Sequence, residues 1–426
     1  MKVAIYGNNL NMGYFLARAL REHGAQPKLL QLEYPAAQDR HSWWTEAAPD
    51  PELVIRLGFP WQQRASLRPL AWNARLRELW RRVADFDALI LSEDGPAIFS
   101  GLRGGPVKVL LPFGSDLLEL PFELEQLGRP SEVLRRHVGD FVRGDLRAPK
   151  RLGSSVVRRA IGQVRTRRGL RQCDGFLVGT GQLIEVLASL GLDHYPRHAF
   201  PFPMDTSVLE EEDPQLDAAL RERFADVDLV FLHPARWLFL RLDALPYLKE
   251  NDKLLRGFAR FARSTSAKVR LLLIEKGRPE DLARARELVV ELGLTPFVEW
   301  LPELPNRELR AYYRLDKVVV CDQFSPKLAH MGNAGREASY YGRPLITAWS
   351  SEWAAPIYGA DLPAHVFAAT SDAEVQVACA RLAECTPQER AAIGAAGREW
   401  FARHHLAESS IPPLLDFLAR LERARR

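Results

Sequence analysis

The sequence is poor in several features that mark specialised classes of protein. Only 4 cysteines occur among 426 residues, and no two of them form a CxxC pair. A disulfide scaffold is therefore excluded, and a reducing cytoplasm is the expected compartment. Glycine and proline, at 28 and 29 residues, are too few for a low-complexity chain. No apolar run approaches the roughly 20 residues that cross a bilayer. The opening residues MKVAIYG enter a strand-like run directly, which argues against a signal peptide.

The net charge is also small, at +4, but it is unevenly distributed. Ten basic residues and a single acid lie between Val142 and Arg171, so this segment carries +9 and the rest of the chain −5. A solvated helical face or loop is the ordinary explanation of such a run. The alternative is that Arg143–Arg171 meets an anionic membrane surface, where each basic residue contributes about 1 kcal/mol. Nucleic acid is not expected as a partner, because no aromatic side chains interleave with the arginines.

Short apolar runs alternate with helical patterns along the whole chain. Strands are predicted at Lys2–Tyr6, Lys28–Leu32, Ala88–Leu91, Val107–Leu111, Gly175–Val178, Leu229–Leu232, Val269–Ile274, Phe297–Trp300, Lys317–Cys321 and Pro344–Thr347. Helices are predicted at Tyr14–His23, Asn251–Ser264, Pro279–Leu292, Asn306–Arg314 and Ala334–Tyr341. Alternating strands and helices build parallel sheets with helices on both faces. Two such series predict an α/β protein with two Rossmann-like, doubly wound domains that face each other across a cleft.

The boundary between the two domains is predicted near Pro201–Asp205, where prolines stiffen an extended connector. This gives an N-terminal domain at 1–203 and a C-terminal domain at 204–405. Residues 406–426 are expected to form a C-terminal helix that packs back toward the N-terminal domain. Pro412 and Pro413 are expected to interrupt the helical pattern that begins at Pro387, leaving a last amphipathic helix after them.

Small, polar and cationic residues follow the predicted strands, at the edge where open parallel sheets bind their ligands. The loop Gly7–Gly13 opens a helix but lacks the GxGxxG spacing, which disfavours a dinucleotide site. Gly332 and Gly335 are more informative, because they would let a loop approach a ligand just before a helix begins. The first amides of that helix would be free for phosphate oxygens. Glu337 in the same helix either complements its dipole or accepts hydrogen bonds from a ribose diol.

Several distinctive segments occur in order along the chain. They are PFPMDT at Pro201–Thr206, His233–Trp237, Lys249–Asp252, the segment from Pro302 to Cys321 and the segment from Gly332 to Pro344, and Phe113–Asp116 precedes them. Together these segments resemble the motifs of family four glycosyltransferases of the GT-B fold, most strongly between Gly175 and Trp349. PFPMDT is similar to the PxxVDT connector of that family, His233–Trp237 to its arginine-bearing loop, Lys249–Asp252 to its KGxD motif and Phe113–Asp116 to its motif HGSD.

This resemblance implies a retaining transferase that moves a sugar from a nucleoside diphosphate to a polysaccharide, glycan or lipid-linked acceptor. The leaving phosphate takes the proton of the acceptor in this family, and neither a metal nor another cofactor is implied. The implied catalytic residues are Arg236, Lys249 and Glu337, the first two acting on the diphosphate. The candidate donor-binding residues are Gly13, His233, Lys276, Gln323, Gly332, Asn333 and Ala334, and the acceptor-side candidates are Asn9, Asp94, Ser115 and Asp116. A role in cell-envelope polysaccharide synthesis, at the inner face of the membrane, is the corresponding expectation.

Three positions depart from the family pattern. Ala329 stands where the first of two glutamates is common, although the turn that begins at Asp322 resembles a variant found in some members. Phe113 replaces a frequent histidine, and Glu250 replaces the glycine of KGxD. These changes leave two alternatives open: a non-catalytic module of the same fold that binds a partner or glycan, and a nucleotide-sugar epimerase of the same shape.

Two DxD sequences invite comparison with metal-dependent transferases, Asp85–Asp87 and Asp226–Asp228. Both precede a predicted strand, which puts them at the edge of the sheet opposite the expected ligand. We therefore predict that they form solvated turns and hold no metal.

Overall fold

The computed structural model describes residues 1–8, 11–33, 50–60, 69–112, 117, 120–122, 160–240 and 248–426. The chain forms two compact units. The first comprises Met1–Phe200 together with Ser410–Arg426, and the second comprises Pro201–Ser409. The chain passes from the first unit to the second between Phe200 and Pro201, within the proline-rich connector of the sequence.

The first unit contains a seven-stranded sheet in the order β3-β2-β1-β4-β5-β6-β7. Its strands are β1 (Lys2–Tyr6), β2 (Gln26–Glu33), β3 (Val54–Pro60), β4 (Ala88–Leu91), β5 (Val107–Leu110), β6 (Gly175–Val178) and β7 (Arg197–Ala199). All neighbouring strands are parallel. The central strands β4, β5 and β6 are buried along their whole length, as expected of near-continuous apolar runs covered on both faces.

The helices of the first unit connect these strands. They are α1 (Met12–Glu22), α2 (Pro69–Val83), α3 (Gly95–Ile98), helical residues 160–170 and α4 (Gly181–Ser189), with one 3₁₀ turn at Leu120–Phe122. In α1 the side chains of Leu16, Ala19 and Leu20 are buried, which is the apolar stripe of a helix lying on a sheet.

The second unit contains a six-stranded sheet in the order β10-β9-β8-β11-β12-β13. Its strands are β8 (Leu229–His233), β9 (Val269–Ile274), β10 (Val298–Leu301), β11 (Val318–Cys321), β12 (Leu345–Thr347) and β13 (Val366–Ala368). All of its pairings are parallel. The chain builds outward from β8 in one direction and then from β11 in the other, so the strand order reverses between these two strands. Such a reversal opens a crevice beyond the carboxyl ends of the strands.

Helices cover both faces of this second sheet. They are α5 (Thr206–Leu209), α6 (Pro214–Arg223), α7 (Asp252–Ser264), α8 (Pro279–Glu291), α9 (Asn306–Tyr313), α10 (Asn333–Tyr340), α11 (Ser351–Tyr358), α12 (Asp372–Glu384) and α13 (Pro387–His405), with a 3₁₀ turn at Pro326–Leu328. Alternate residues of β8 point into two different cores. Phe231 packs with Phe258 of α7 in one core, while Leu232 packs with Tyr313 of α9 in the other.

The predicted fold class is confirmed: two parallel sheets alternate with helices along the chain. Strands β3, β7 and β13 were not predicted. The interruption expected at Pro412 and Pro413 is wrong, because α14 (Ala407–Arg425) runs through both prolines. The break lies earlier, at Leu406, whose backbone is extended between α13 and α14. From Ser410 onward α14 belongs to the first unit, where its Phe417 stacks on His198 with ring centroids 5.3 Å apart.

Candidate functional site

The candidate site of the second unit lies where the strand order reverses, at the carboxyl ends of β8 and β11. His233 ends β8, and its Nδ1 donates a hydrogen bond to the carbonyl oxygen of Cys321 at the end of β11, at 2.8 Å. Its Nε2 accepts a hydrogen bond from Asn251 Nδ2 at 2.9 Å. Burial lowers the pKa of His233 to about 3, so the ring is neutral. Both ring nitrogens of this predicted donor-binding residue are thus used to join the two strand ends.

Lys249 lies between the loops that follow these two strands. Its backbone amide donates to the carbonyl oxygen of Leu238 at 2.7 Å, and its own carbonyl accepts from the amide of Phe324 at 2.8 Å. Asn251 strengthens this arrangement, because its Oδ1 accepts from the amide of Leu238 at 3.0 Å. Hydrogen bonds from its amide and to its carbonyl oxygen therefore fix the position of the Lys249 backbone.

Asp322 links Lys249 to the start of α10. The Nζ of Lys249 lies 3.7 Å from Oδ1 of Asp322, and Oδ2 of Asp322 accepts from the amide of Gly332 at 3.1 Å. A Cβ atom on Gly332 would lie only 2.6 Å from that Oδ2, so the contact requires glycine. The Asp322 side chain is 1% exposed and that of Lys249 is 19% exposed. The sequence indicated Lys249 and Gly332 separately, and the structure brings them to one carboxylate.

The first turn of α10 offers unpaired amides beside this carboxylate. Gly332 caps the helix without any side-chain hydrogen bond. Within the described part of the chain, the amides of Asn333, Ala334 and Gly335 have no acceptor. The positive end of the helix dipole and these amides favour an anionic group. The predicted donor-binding residues Gly332, Asn333 and Ala334 therefore begin a helix whose start is joined to the Lys249 ammonium through Asp322.

Glu337 lies on α10 and faces α9. Burial raises the pKa of its carboxyl group, while Arg310 and Tyr313 of α9 oppose that shift. The Tyr313 ring is fully buried, and burial together with the charge of Glu337 raises the pKa of its hydroxyl well above the usual range. Arg310 is also buried. The Glu337 carboxylate is therefore held in a partly desolvated environment, where the charge of Arg310 on α9 favours its ionised form.

The other predicted residues of the second unit have different surroundings. Arg236 follows β8 and is exposed, and it has no hydrogen bond or ion pair with any described residue. Lys276 pairs with Glu303, with 3.1 Å between Nζ and Oε1. Gln323 is buried, and its Nε2 donates to the carbonyl oxygens of Leu328 and His330, at 2.9 Å each. Gln323 therefore shapes the turn that contains Ala329, while Arg236 remains available to a ligand.

Several residues of this site were not among the predicted site residues. Asp322 could have been included, because it directly follows an apolar strand at the ligand-binding edge. Arg310 also gave a signal, since it is a charged residue on the buried side of the amphipathic helix α9. Asn251 and His330 gave none. The Nδ1 atom of His330 is buried without a partner among the described residues, and burial with the charges of Arg336 and Lys249 lowers the pKa of His330 to about 4.

In the first unit, a polar cluster lies at the corresponding reversal between β1 and β4. The Tyr6 hydroxyl donates to Oδ1 of Asp94 at 3.0 Å, and the Ser92 hydroxyl donates to the carbonyl oxygen of Tyr6 at 2.8 Å. Gly13 lies in the first turn of α1, and a Cβ atom there would lie 2.1 Å from the carbonyl oxygen of Gly7. The other acceptor-side candidates, Asn9, Ser115 and Asp116, together with Phe113, lie outside the described residues.

The two DxD sequences lie at the amino-terminal edges of the two sheets. Asp87 accepts from the amide of Lys2 at 2.7 Å, and Asp228 accepts from the amide of Lys268 at 2.8 Å. Each carboxylate thus holds the start of a neighbouring strand. Among the residues that the structure describes, no group of three or more histidine, cysteine or acidic side chains could hold a metal ion. Of the described helices, none is both long and apolar enough to cross a membrane.

The chain is similar in structure to several solved proteins. Sucrose-phosphate synthase from Thermosynechococcus elongatus matches with a TM-score of 0.66 and 15% identity, covering 100% of both chains. Anabaena HepE in complex with UDP-glucose matches with a TM-score of 0.62 and 13% identity, covering 99% of this chain and 100% of HepE. A glycosyltransferase from Rickettsia africae matches with a TM-score of 0.63 and 8% identity, over 99% of this chain and 98% of the other.

The fold is that of the GT-B glycosyltransferases. At these identities the likeness establishes the architecture and leaves the activity to be argued from the site. No protein-family model and no curated protein sequence matches the chain.

Proposed function

We propose that this protein is a glycosyltransferase that takes its sugar from a nucleoside diphosphate donor. One observation carries the proposal: Asp322 connects the Lys249 ammonium to the open amino-terminal turn of α10, at the strand-order reversal of the second sheet. Amides, a helix dipole and a fixed ammonium are the groups that stabilise a departing diphosphate. The fold likeness supports the same reading, because HepE was solved with UDP-glucose.

The proposed roles follow from the surroundings of each side chain. Lys249, Arg236 and the amides of Asn333 and Ala334 bind the two phosphates. The exposure of Arg236, and its lack of a partner among the described residues, support this role for it. Glu337 accepts hydrogen bonds from the ribose hydroxyls, as a carboxylate in the first turns of that helix can do. His233, Gln323 and Asn251 position the loops around these groups.

The proposed reaction retains the configuration of the transferred sugar. The bond from the anomeric carbon to the phosphate oxygen breaks, and a bond from that carbon to an acceptor hydroxyl oxygen forms. The acceptor proton passes to the leaving diphosphate, so no protein base is required. Positive charge fixed before the reaction lowers the barrier by stabilising the leaving group. We propose a polysaccharide, glycan or lipid-linked acceptor, with Asp94 of the first unit among the residues that contact it.

A donor screen tests the proposal. The protein is incubated with UDP-, GDP- and ADP-sugars, and the melting temperature and the slow hydrolysis of each donor are measured. We expect one nucleotide class to raise the melting temperature and to be hydrolysed. Lys249→Ala should lose both effects, while the exposed Lys268→Ala at the opposite edge of the sheet serves as the matched control. If no donor produces either effect in the wild type, the proposal fails.

Ala329 favours a second candidate function, a non-catalytic module that binds a nucleotide sugar or glycan. This position carries no carboxylate, and its small side chain is buried. Binding of a nucleotide sugar with no transfer to any acceptor, including those in a crude envelope extract, would support this candidate. Isomerisation of the donor sugar without any acceptor would instead support an epimerase.

We also propose that the basic segment Arg143–Arg171 contacts an anionic membrane surface. Of this segment the structure describes only residues 160–171. There, Ile161, Val164 and Arg168 are exposed on the helix, with Val164 65% exposed. Apolar and basic side chains on one exposed face suit the interface of a bilayer. Val164→Ser combined with Arg168→Gln should reduce cosedimentation with anionic vesicles, whereas Val290→Ser on α8 should not; absence of vesicle binding by the wild type would refute the idea.

A further inference from the structure

A second polar pocket lies in the first unit, at the edge of its sheet opposite Asp94. It is a depression of about 520 Å³ beside the starts of β5 and β6. Lys108 of β5 and Asp174, the residue before β6, lie in its wall, as do Leu102, Arg171 and Gln172. We call it the amino-edge pocket. It belongs to the first unit, whereas the site proposed for the donor belongs to the second.

The charge of the amino-edge pocket is predominantly positive. Arg103, Lys108 and Arg171 line it, and Asp174 is the one acid among the lining residues. That acid is already engaged, because its Oδ2 accepts from the amide of Lys108 at 2.8 Å and lies 3.6 Å from Nη1 of Arg425. The cations of the wall therefore exceed the negative charge available to balance them, which favours an anion.

Lys108 is the most buried of these cations. Its side chain is 5% exposed, and its Nζ donates to the carbonyl oxygen of Leu102 at 2.9 Å. An ammonium group has three N–H donors, and no second hydrogen-bond acceptor is found for it among the described residues. The neighbouring Cys173 does not neutralise it, because burial raises the pKa of that thiol to about 12. A buried charge with one partner is costly, and an oxygen anion in the pocket would remove that cost.

Lys108 requires a hydrogen-bond acceptor from the ligand, whereas Gln172 requires a hydrogen-bond donor. Its Oε1 atom is buried and has no hydrogen-bond donor among the described residues. An oxygen that carries no hydrogen cannot donate to an amide oxygen, so a sulfate ion would leave Oε1 of Gln172 unsatisfied. A ligand that carries a hydroxyl group beside its anionic group would satisfy both Lys108 and Gln172.

The walls of the pocket are already positioned for such a ligand. The Tyr195 hydroxyl donates to the carbonyl oxygen of Arg171 at 2.8 Å, and the Tyr195 ring packs edge-on against Phe176 of β6, with centroids 5.7 Å apart. These contacts hold the backbone from which Arg171 and Gln172 project. This part of the backbone therefore does not have to be ordered when the ligand binds.

We infer that the amino-edge pocket binds a small phosphate monoester that carries hydroxyl groups. The phosphate contacts Lys108 with Arg103 and Arg171, and a hydroxyl group donates to Oε1 of Gln172. This site is independent of the donor site proposed for the second unit, and it provides a place where a metabolite can bind without occupying that site.

Titration calorimetry of the full chain tests the inference with three probes: glycerol 3-phosphate, ethyl phosphate and glycerol. We expect glycerol 3-phosphate to bind most tightly, ethyl phosphate to bind more weakly, and glycerol not to bind. Arg171→Gln should weaken glycerol 3-phosphate about tenfold or more, as the loss of a charged hydrogen bond does. The exposed Arg168→Gln is the matched control and should leave the affinity unchanged.

Two further variants make the test decisive. Gln172→Leu should make the affinities for glycerol 3-phosphate and ethyl phosphate equal, whereas on a merely electrostatic surface they would already be equal in the wild type. Lys249→Ala should leave glycerol 3-phosphate binding intact, because that residue belongs to the second unit. No saturable binding by the wild type overturns the inference, and so does binding that Arg171→Gln leaves unchanged or Lys249→Ala abolishes. These outcomes are separate from failure of the donor screen, which concerns nucleotides alone.

Discussion

The ammonium of Lys249 lies 3.7 Å from Oδ1 of Asp322, a carboxylate that is 1% exposed. The second oxygen of that carboxylate accepts from the amide of Gly332. One buried acid thus orients both a cation and the start of α10. An acid in a phosphate site opposes anion binding by its charge, but here both of its oxygens are engaged, by the Lys249 ammonium and by the Gly332 amide. Removing either contact should therefore weaken ligand binding as well as folding.

Gly332→Ala tests this arrangement without changing any charge. The added Cβ would lie 2.6 Å from Oδ2 of Asp322, so the carboxylate or the backbone must move. We expect nucleoside diphosphate affinity to fall about tenfold, while overpacking costs roughly 1–3 kcal/mol of stability. Calorimetry and urea unfolding measure the two quantities. Gly179→Ala is the control, because a Cβ there would approach nothing closer than 3.4 Å; equal affinities in the two variants would contradict the prediction.

At position 250, a glycine is expected to give a more stable protein than an alanine. The φ of Glu250 is +54°, in the left-handed region, and its side chain accepts a hydrogen bond from the Ser325 hydroxyl at 2.9 Å and pairs with Lys253 at 2.5 Å. Both substitutions lose these partners. Alanine, however, has a Cβ atom that makes the left-handed conformation unfavourable, whereas glycine has none. Glu250→Ala should therefore be less stable than Glu250→Gly, by about 1 kcal/mol. Urea unfolding of both variants measures the difference, and a more stable alanine variant would refute the explanation.

The lowered pKa of His233 predicts that the protein loses stability in acid. The pKa of this histidine is lowered from 6.5 to about 3 by burial, so the unfolded chain binds a proton more readily than the folded one. The contribution of neutral His233 to stability is complete above about pH 6.5 and is lost as the pH falls toward 3. At pH 5 the loss amounts to about 2 kcal/mol. His233→Gln should show a smaller loss between pH 7 and pH 5 than the wild type. The exposed His194→Gln should behave like the wild type; identical pH profiles for all three would exclude His233 as a cause.

Glu337 gives a pH dependence of the opposite sign. Burial raises the pKa of its carboxyl above the ordinary 4.5, so the folded state holds this proton more tightly than the unfolded chain. Ionisation therefore costs stability once the pH rises above 4.5, and the cost is absent well below that value. Relative to the wild type, Glu337→Gln should gain stability between about pH 4 and pH 7. A stability difference that stays constant over this range would contradict the environment described for Glu337.

The same variant tests the proposed contact of Glu337 with ribose. A neutral amide accepts hydrogen bonds less strongly than a carboxylate, and loss of such a charged contact costs about 1–3 kcal/mol. We expect Glu337→Gln to weaken binding of a nucleoside diphosphate accordingly, as measured by calorimetry. Inorganic diphosphate, which has no ribose, should bind the variant and the wild type equally. A nucleotide affinity that the substitution leaves unchanged would remove Glu337 from the site.

The strands of the two cores could be predicted from the sequence because each is a nearly continuous apolar run. β1, β4, β6 and β9 have the predicted bounds. β7 and β13 were missed for a physical reason: each has three residues, RHA and VFA, at the edge of its sheet, and only pairing with a neighbouring strand makes them strands. The interruption predicted at Pro412 and Pro413 was wrong for another reason. The tendency of proline to end a helix was overridden by the packing of α14 in the first unit.

The candidate site was predictable in part. Lys249 and Gly332 could be found because they lie in recognisable loops, and Glu337 because it shares a helix with Gly332. The link that Asp322 makes between them could not be read from the chain, because it depends on contacts formed only when β8 and β11 are neighbours. His233 and Gln323 were predicted to bind the donor, yet both ring nitrogens of His233 and the amide nitrogen of Gln323 are occupied by the protein itself, a property that depends on burial and geometry.

A crystal structure of the protein with bound nucleoside diphosphate tests the central claim most directly. The nucleotide used is the one of UDP, GDP and ADP that raises the melting temperature most. The account predicts its diphosphate within hydrogen-bond distance of Lys249 Nζ and of the amides of Asn333 and Ala334. A diphosphate bound elsewhere in the molecule, with those amides and the Lys249 ammonium untouched, would contradict it.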